Sequence, residues 1–323
     1  MNREVGSSPK QIVFVHLNQE VNVMRRLTVC TIFLLFPSAL HALPSPQHDS
    51  PWNLSNLASW PSTILDVAKS RKAMRLADTK RVKRRRYAPR GARFDVPFRS
   101  GEQLNYKMRW MGIPVGTATF RVSKTMSFRG KPAWHFEMKA RTNKYADAIY
   151  KVRDHMHSWV QPDMKRALHH TKKQREGSYR RDVTLRFDWK RNHAVYKNQW
   201  RAFRPRPIFA DTFDPLGLLY GFRCQRFDRP GKVWMSATDG LKTVRAQVRV
   251  IGLEKVEVGD HKVDAWHVVP ELKDVGGIFE RSPGARMDVW FSADERRIPV
   301  KLKSKVIVGS FTATLVEARG LKS

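Results

Sequence analysis

Acidic residues are scarce in this chain. Against 61 Lys and Arg there are 29 Asp and Glu in 323 residues, a formal charge of +32. Solubility alone does not require such an excess, which points to anionic partners. Cysteine is nearly absent, with only Cys30 and Cys224, so a disulfide scaffold is excluded. Glycine and proline, 18 each, are too few for a collagen-like chain. No apolar run reaches the roughly 20 residues of a comfortable membrane-spanning helix. Three catalytic signatures are also missing: the G-x-S-x-G nucleophile elbow, the phosphate-cradling G-x-x-x-x-G-K-[ST] loop and H-E-x-x-H. The reading is therefore of a protein that is not an enzyme and carries no cofactor. Hydrophobic residues, at 41%, are sufficient for a core.

The apolar stretch that does exist, Leu27 to Ala42, follows Met24-Arg25-Arg26 and has the three regions of a secretory signal peptide. Pro37 interrupts it, and cleavage is expected after Ala42, with a retained anchor as the alternative. Residues 1–23 carry no such pattern and read as an untranslated or disordered extension, with translation starting at Met24. Cys30 lies at the start of the apolar stretch rather than after it, which argues against lipidation. After cleavage Cys224 stands alone, so stability rests on the core. Residues 43–94 read as a disordered basic linker. Its densest part, Lys69 to Arg93, holds twelve basic residues and one acid, and such a block repels itself.

From residue 95 to 320 the texture is that of a single β domain. Leu104, Tyr106, Met108 and Trp110 alternate with polar residues, and Gly112, Pro114 and Gly116 then interrupt the run. Period-two patterns return at Ala118–Val122, Trp134–Ala140, Val183–Phe187, Val244–Val250, Met287–Phe291, Ile298–Leu302 and Phe311–Leu315. Helix signals are few. Asp214-Pro215 begins one helix, expected from Pro215 to Cys224, and a turn or two is expected near Tyr145 to Tyr150. The fold class is all-β and mainly antiparallel, a large curved sheet or open β-barrel with one or two short helices.

The order of these pieces resembles the exported bacterial domain-of-unknown-function family 3108. The resemblance is carried by Phe98-x-x-Gly101-Glu102-x-Leu104-x-Tyr106, Trp110-x-Gly112-Ile113-x-x-Gly116, Asp154 with Ser158 and Val160, and Phe187-Asp188. It continues through Asp214 to Arg223, Asp239-Gly240, Val289-Trp290-Phe291-Ser292-x-Asp294 and Ile298-Pro299-Val300, and spans roughly residues 95 to 318. The resemblance implies an envelope-associated β protein of Gram-negative bacteria with no established activity, and it brings no catalytic residues. The chain departs from the family in its basicity and its Arg-rich extension.

Four groups of side chains carry candidate chemistry. Tyr106, Trp110, Trp134 and Phe136 on inward strand faces are either core or, in an opened barrel, the lining of a site for an acyl chain or sugar face. Arg81, Lys83, Arg84, Arg85 and Arg86 read as a contact for anionic envelope lipid or polysaccharide, as a solvated linker, or as a weaker case for nucleic acid. His155 and His157 share one strand face and are the only weak metal candidates, since no third ligand can be placed; no metal is expected. Asp188, Asp239 and Asp294 are either an acid–base set or turn caps. The sequence thus predicts a periplasmic or secreted, non-enzymatic protein that binds or carries an envelope amphiphile or polysaccharide, with no transmembrane helix once mature. The alternatives are a structural or assembly factor that binds another envelope protein and, further off, a hydrolase.

Overall fold

The computed structural model describes residues 95–124, 127–271, 284–306 and 309–323. The signal-peptide stretch and the segment with Arg81, Lys83, Arg84, Arg85 and Arg86 lie outside the described residues. The first wing comprises β1 (Gln103–Trp110), β2 (Ile113–Val122), β5 (Trp134–Thr142), β6 (Arg153–Val160), β7 (Ala167–Glu176), β8 (Tyr179–Asp188), β9 (His193–Asn198) and β10 (Arg206–Pro207). A small pair, β3 (Ser127–Phe128) and β4 (Lys131–Pro132), and helix α1 (Lys144–Asp147) interrupt it. After β11 (Thr212–Phe213) and helix α2 (Pro215–Arg223), the second wing runs through β12 (Gly231–Thr238), β13 (Thr243–Val258) and β14 (His261–Pro270). It ends with β15 (Arg286–Ser292), β16 (Pro299–Val306) and β17 (Gly309–Arg319).

Fifteen of these strands form one sheet in the order β10-β9-β8-β7-β6-β5-β2-β1-β17-β16-β15-β14-β13-β12-β11. Neighbours pair antiparallel, except β11 with β12. The chain runs outward along one wing and returns inward along the other, so that β17 comes to lie beside β1. The sheet is not closed by hydrogen bonds; β10 and β11 are its edges. This is the large antiparallel architecture expected from the alternation.

Helix α2 shows that the sheet curls. On one wing Tyr220 stacks on Phe136 with centroids 3.8 Å apart, and Asp214 accepts a hydrogen bond from Ser158 at 2.5 Å. On the other, Phe222 packs on Phe291 at 5.1 Å, and Arg297 Nε donates to the Arg223 carbonyl at 2.6 Å. In a flat sheet β5 and β15 would lie about 24 Å apart, more than a helix about 10 Å across can bridge. The two wings therefore wrap the helix. Near the edges Thr243 Oγ1 donates to the carbonyl of Pro207 at 3.0 Å, a side-chain contact where the ladder stops.

One boundary differs from expectation. Met111 and Gly112 both have positive φ, 48° and 86°, which makes a tight two-residue hairpin turn. Strand β2 therefore begins at Ile113 and includes Pro114 and Gly116, with Pro114 placed at a bulge opposite Arg109. Gly116 is there because a Cβ would collide with the carbonyl of Arg141. The expected helix is present, with Cys224 as its C-cap. Among the described residues no helix is long and apolar enough to cross a membrane.

Candidate functional site

The inward aromatic set does not surround one pocket. Tyr106 and Phe136 are sealed in the core, and Tyr106 donates its hydroxyl proton to the carbonyl of Pro299 at 2.6 Å. Trp110 stacks on Phe311 at one end of the strands, while Trp134 meets Phe98 edge-on at 5.0 Å at the other. The pairing of Trp110 with Ile113 and of Val122 with Phe136 separates the two tryptophans by roughly 35 Å of strand. Tyr106 and Phe136 thus take the core position that the alternation also allowed, while Trp110 and Trp134 are partly buried. The interior facing Phe136 is filled by α2 and Phe98.

The outer face of β5, β6 and β7 carries a different group. His135, Glu137, His155, His157, Trp159 and His169 are half-buried and alternate with the buried Phe136, Met138, Met156, Ser158 and His170. The antiparallel register sets Glu137 opposite His157, His135 opposite Trp159, and Trp159 opposite His169. The His135 ring stacks on Trp159 at 4.4 Å, and Phe128 of β3 stacks on His169 at 5.0 Å. His135 Nε2 lies 3.0 Å from His157 Nδ1, and one ligand atom from each of His135, Glu137 and His157 falls within 4.8 Å of the others. His155 Nε2 is buried with no hydrogen-bond partner, 3.9 Å from Glu137 Oε2. Burial pushes the His155 pKa down to about 4, helped by the neighbouring His157 and Lys139, and it lowers His135 and His157 as well. Burial thus favours the neutral form of all three rings, the form that ligates metal.

Sequence reasoning found His155 and His157 but missed His135 and Glu137. The signal was present as two i, i+2 pairs, His135-x-Glu137 and His155-x-His157. Only the strand register could bring them together.

The interior polar groups are structural. Asp214 caps α2 by accepting from the Leu216 and Gly217 amides at 3.0 Å each, and His170 Nδ1 lies 3.0 Å from the same carboxylate. Ser158, His170 and Asp214 are the residue types of a hydrolytic triad in the wrong order. The serine is bonded to the carboxylate rather than the imidazole, and all three are buried. The buried Glu102 receives two hydrogen bonds from Arg223, at 2.5 and 2.9 Å, which hold the end of α2 to the first turn of the domain. Asp188 and Asp239 each accept two backbone amides of their own turns, and Asp294 accepts from Ser292 and Arg296, so these three are caps at separate places. Burial pushes the Cys224 thiol up to about 12, which removes it as a nucleophile at neutral pH.

Beside the imidazole cluster the outer face is basic. Lys301, Thr314, Lys107, Thr117, Arg141 and Arg153 form one cross-strand row. Lys303, Thr312 and Arg109 form the next, and Thr119, Lys139, His155 and Lys173 run along the other side. Arg153 pairs with Asp147 at 2.5 Å, whereas among the described residues the other Lys and Arg side chains of these rows make no ion pair within 4.0 Å.

A family model described as a protein of unknown function, DUF3108, matches residues 105–316. The chain belongs to this family. No curated protein matches this DUF3108 chain. Among solved structures it is similar to a β-barrel-like protein of domain of unknown function DUF1849 from Brucella abortus. The identity is 10% and the TM-score 0.44, covering 70% of this chain and 100% of that one. It is also similar to the hypothetical protein CT021 from Chlamydia trachomatis, at 10% identity and TM-score 0.32, covering 70% of this chain and 90% of that one. Several residues that carry the DUF3108 resemblance, Glu102, Ser158, Asp214 and Arg223, converge on α2 and hold it inside the sheet. The outer imidazoles are not among them.

Proposed function

We propose that this DUF3108 protein is an exported, non-enzymatic envelope protein whose basic outer sheet face lies against an anionic lipid surface. The observation that carries this reading is the set of cross-strand rows with Lys107, Arg109, Lys139, Arg141, Lys173, Lys301 and Lys303; among the described residues only Lys173 and Lys303 face a carboxylate across the ladder, Asp182 and Asp288. A basic residue near an anionic leaflet contributes about 1 kcal/mol, so seven would hold a domain firmly at low salt. The Arg-rich segment ahead of the domain adds further charge of the same sign. The filled interior around α2 favours surface contact over carriage of a lipid inside the sheet. The leader sequence supports an envelope location.

Co-sedimentation of the full chain with phosphatidylglycerol-containing vesicles tests the reading. Binding should exceed that to pure phosphatidylcholine vesicles, weaken steeply with salt, and fall when Lys107, Arg141 and Lys303 are changed to Glu. Equal binding to both vesicles, or none to either, overturns it.

A further inference from the structure

We infer that the imidazole cluster on the outer face of β5 and β6 is a binding site for a late first-row divalent ion, zinc or copper, with His135, Glu137 and His157 as ligands and His155 as an adjacent fourth donor. This goes beyond lipid contact and rests on different residues.

The geometry fits such an ion. Two nitrogens each about 2.0–2.1 Å from a common ion lie about 3.0 Å apart when the angle at the ion is close to 90°. His135 Nε2 and His157 Nδ1 are 3.0 Å apart, and Glu137 supplies an oxygen within 4.8 Å of both. These donors sit on two paired strands near the middle of the sheet, so bringing them together costs no loop ordering. Trp159 and Phe128 shield one side of the group with aromatic surface, as apolar shells commonly do around metal sites.

The hydrogen bonding is incomplete without an ion. In its absence the contact between His135 and His157 requires one neutral ring to donate to the other, and the buried Nε2 of His155 has no partner. Buried polar atoms are normally satisfied, and an orphan beside three other donors marks a place for a ligand. The second wing shows the contrast. There His267 lies 2.8 Å from Glu254 and 2.7 Å from Asp288 through its two ring nitrogens, which leaves neither nitrogen open.

Charge selects the kind of cation. Glu137 is the single acid of the group, while Lys139 and Lys173 flank His155 and Arg121 stands opposite Glu137. Calcium or magnesium would need several carboxylates and finds one. Imidazole nitrogens suit zinc and copper even where the surroundings are cationic.

The test uses the full chain, stripped with chelator and titrated with Cu²⁺ and with Zn²⁺ by calorimetry, followed by electron paramagnetic resonance of the copper form. The site predicts one ion per chain and copper hyperfine splitting from at least two nitrogens. Glu137→Gln, which keeps the side chain's size, and His157→Ala should each weaken binding roughly tenfold or more, while His261→Ala in the β13–β14 hairpin should leave it unchanged. Uptake that is absent, equal in the double variant His135→Ala/His157→Ala, or free of nitrogen splitting overturns the assignment.

Discussion

Asp154 illustrates how a single residue can set a pH response. Its carboxyl is buried under β6 and β7, where one oxygen accepts the Arg175 amide at 2.9 Å. Burial, and next the charge of Glu176, push its pKa up to about 8 from an ordinary 3.8. Between those values the folded chain holds a proton that the unfolded chain has released. Stability from this group is therefore complete below 3.8 and declines as pH rises toward 8. His155 and His169, pushed down to about 4 mainly by burial, act in the opposite sense, and their effect is spent above 6.5. Urea unfolding is thus expected to show stability falling from pH 6.5 to 8, and Asp154→Asn should flatten that slope. An unchanged slope in the variant would refute the assignment. The chemistry of such residues is only partly legible in sequence. His155 and His157 could be paired by counting, because i and i+2 share a strand face. Glu102 and Arg223 could not, because their contact spans 121 positions.

At the scale of elements, the glycines of α2 are packing devices. A Cβ on Gly217 would come within 2.8 Å of Asp214 Oδ2 and 3.0 Å of both Ser158 Oγ and Val160 Cγ2. Alanine is the better helix former by about 1 kcal/mol. Here the crowding should win, since overpacking costs about 1–3 kcal/mol. Gly217→Ala is expected to lower unfolding stability by about 1 kcal/mol net, and a gain would mean that the helix is free to shift outward. This helix was legible because Asp214-Pro215 is a strong start signal. Strand β7 was not, because its buried face carries His170, Gln174 and Glu176 in place of apolar residues. Strand β13 was legible over Val244–Val250 only; its remainder, to Val258, has a mostly exposed pattern with little alternation.

For the molecule as a whole, protection should follow the strand order. Strands β1 and β17 are paired on both sides at the middle of the sheet, whereas β10 and β11 are two residues long. Amide exchange followed by mass spectrometry should be slowest in β1 and β17 and much faster in β9, which adjoins the short β10. Uniform protection would contradict a sheet held from its centre. The alternation revealed the class of this sheet, but its order depends on pairings between distant strands that no local pattern encodes.

The partnership of β1 with β17 also has a kinetic consequence. Asn105 and Glu317 are bonded across 212 positions, so the strand that joins the two wings is synthesised after the other strands of the sheet. Each wing can meander into hairpins as it emerges, but the central ladder waits for residues 309–319. Such a chain has high contact order and folds slowly. With this wiring the two wings stay unjoined, like a clasp left open, until β17 has been made.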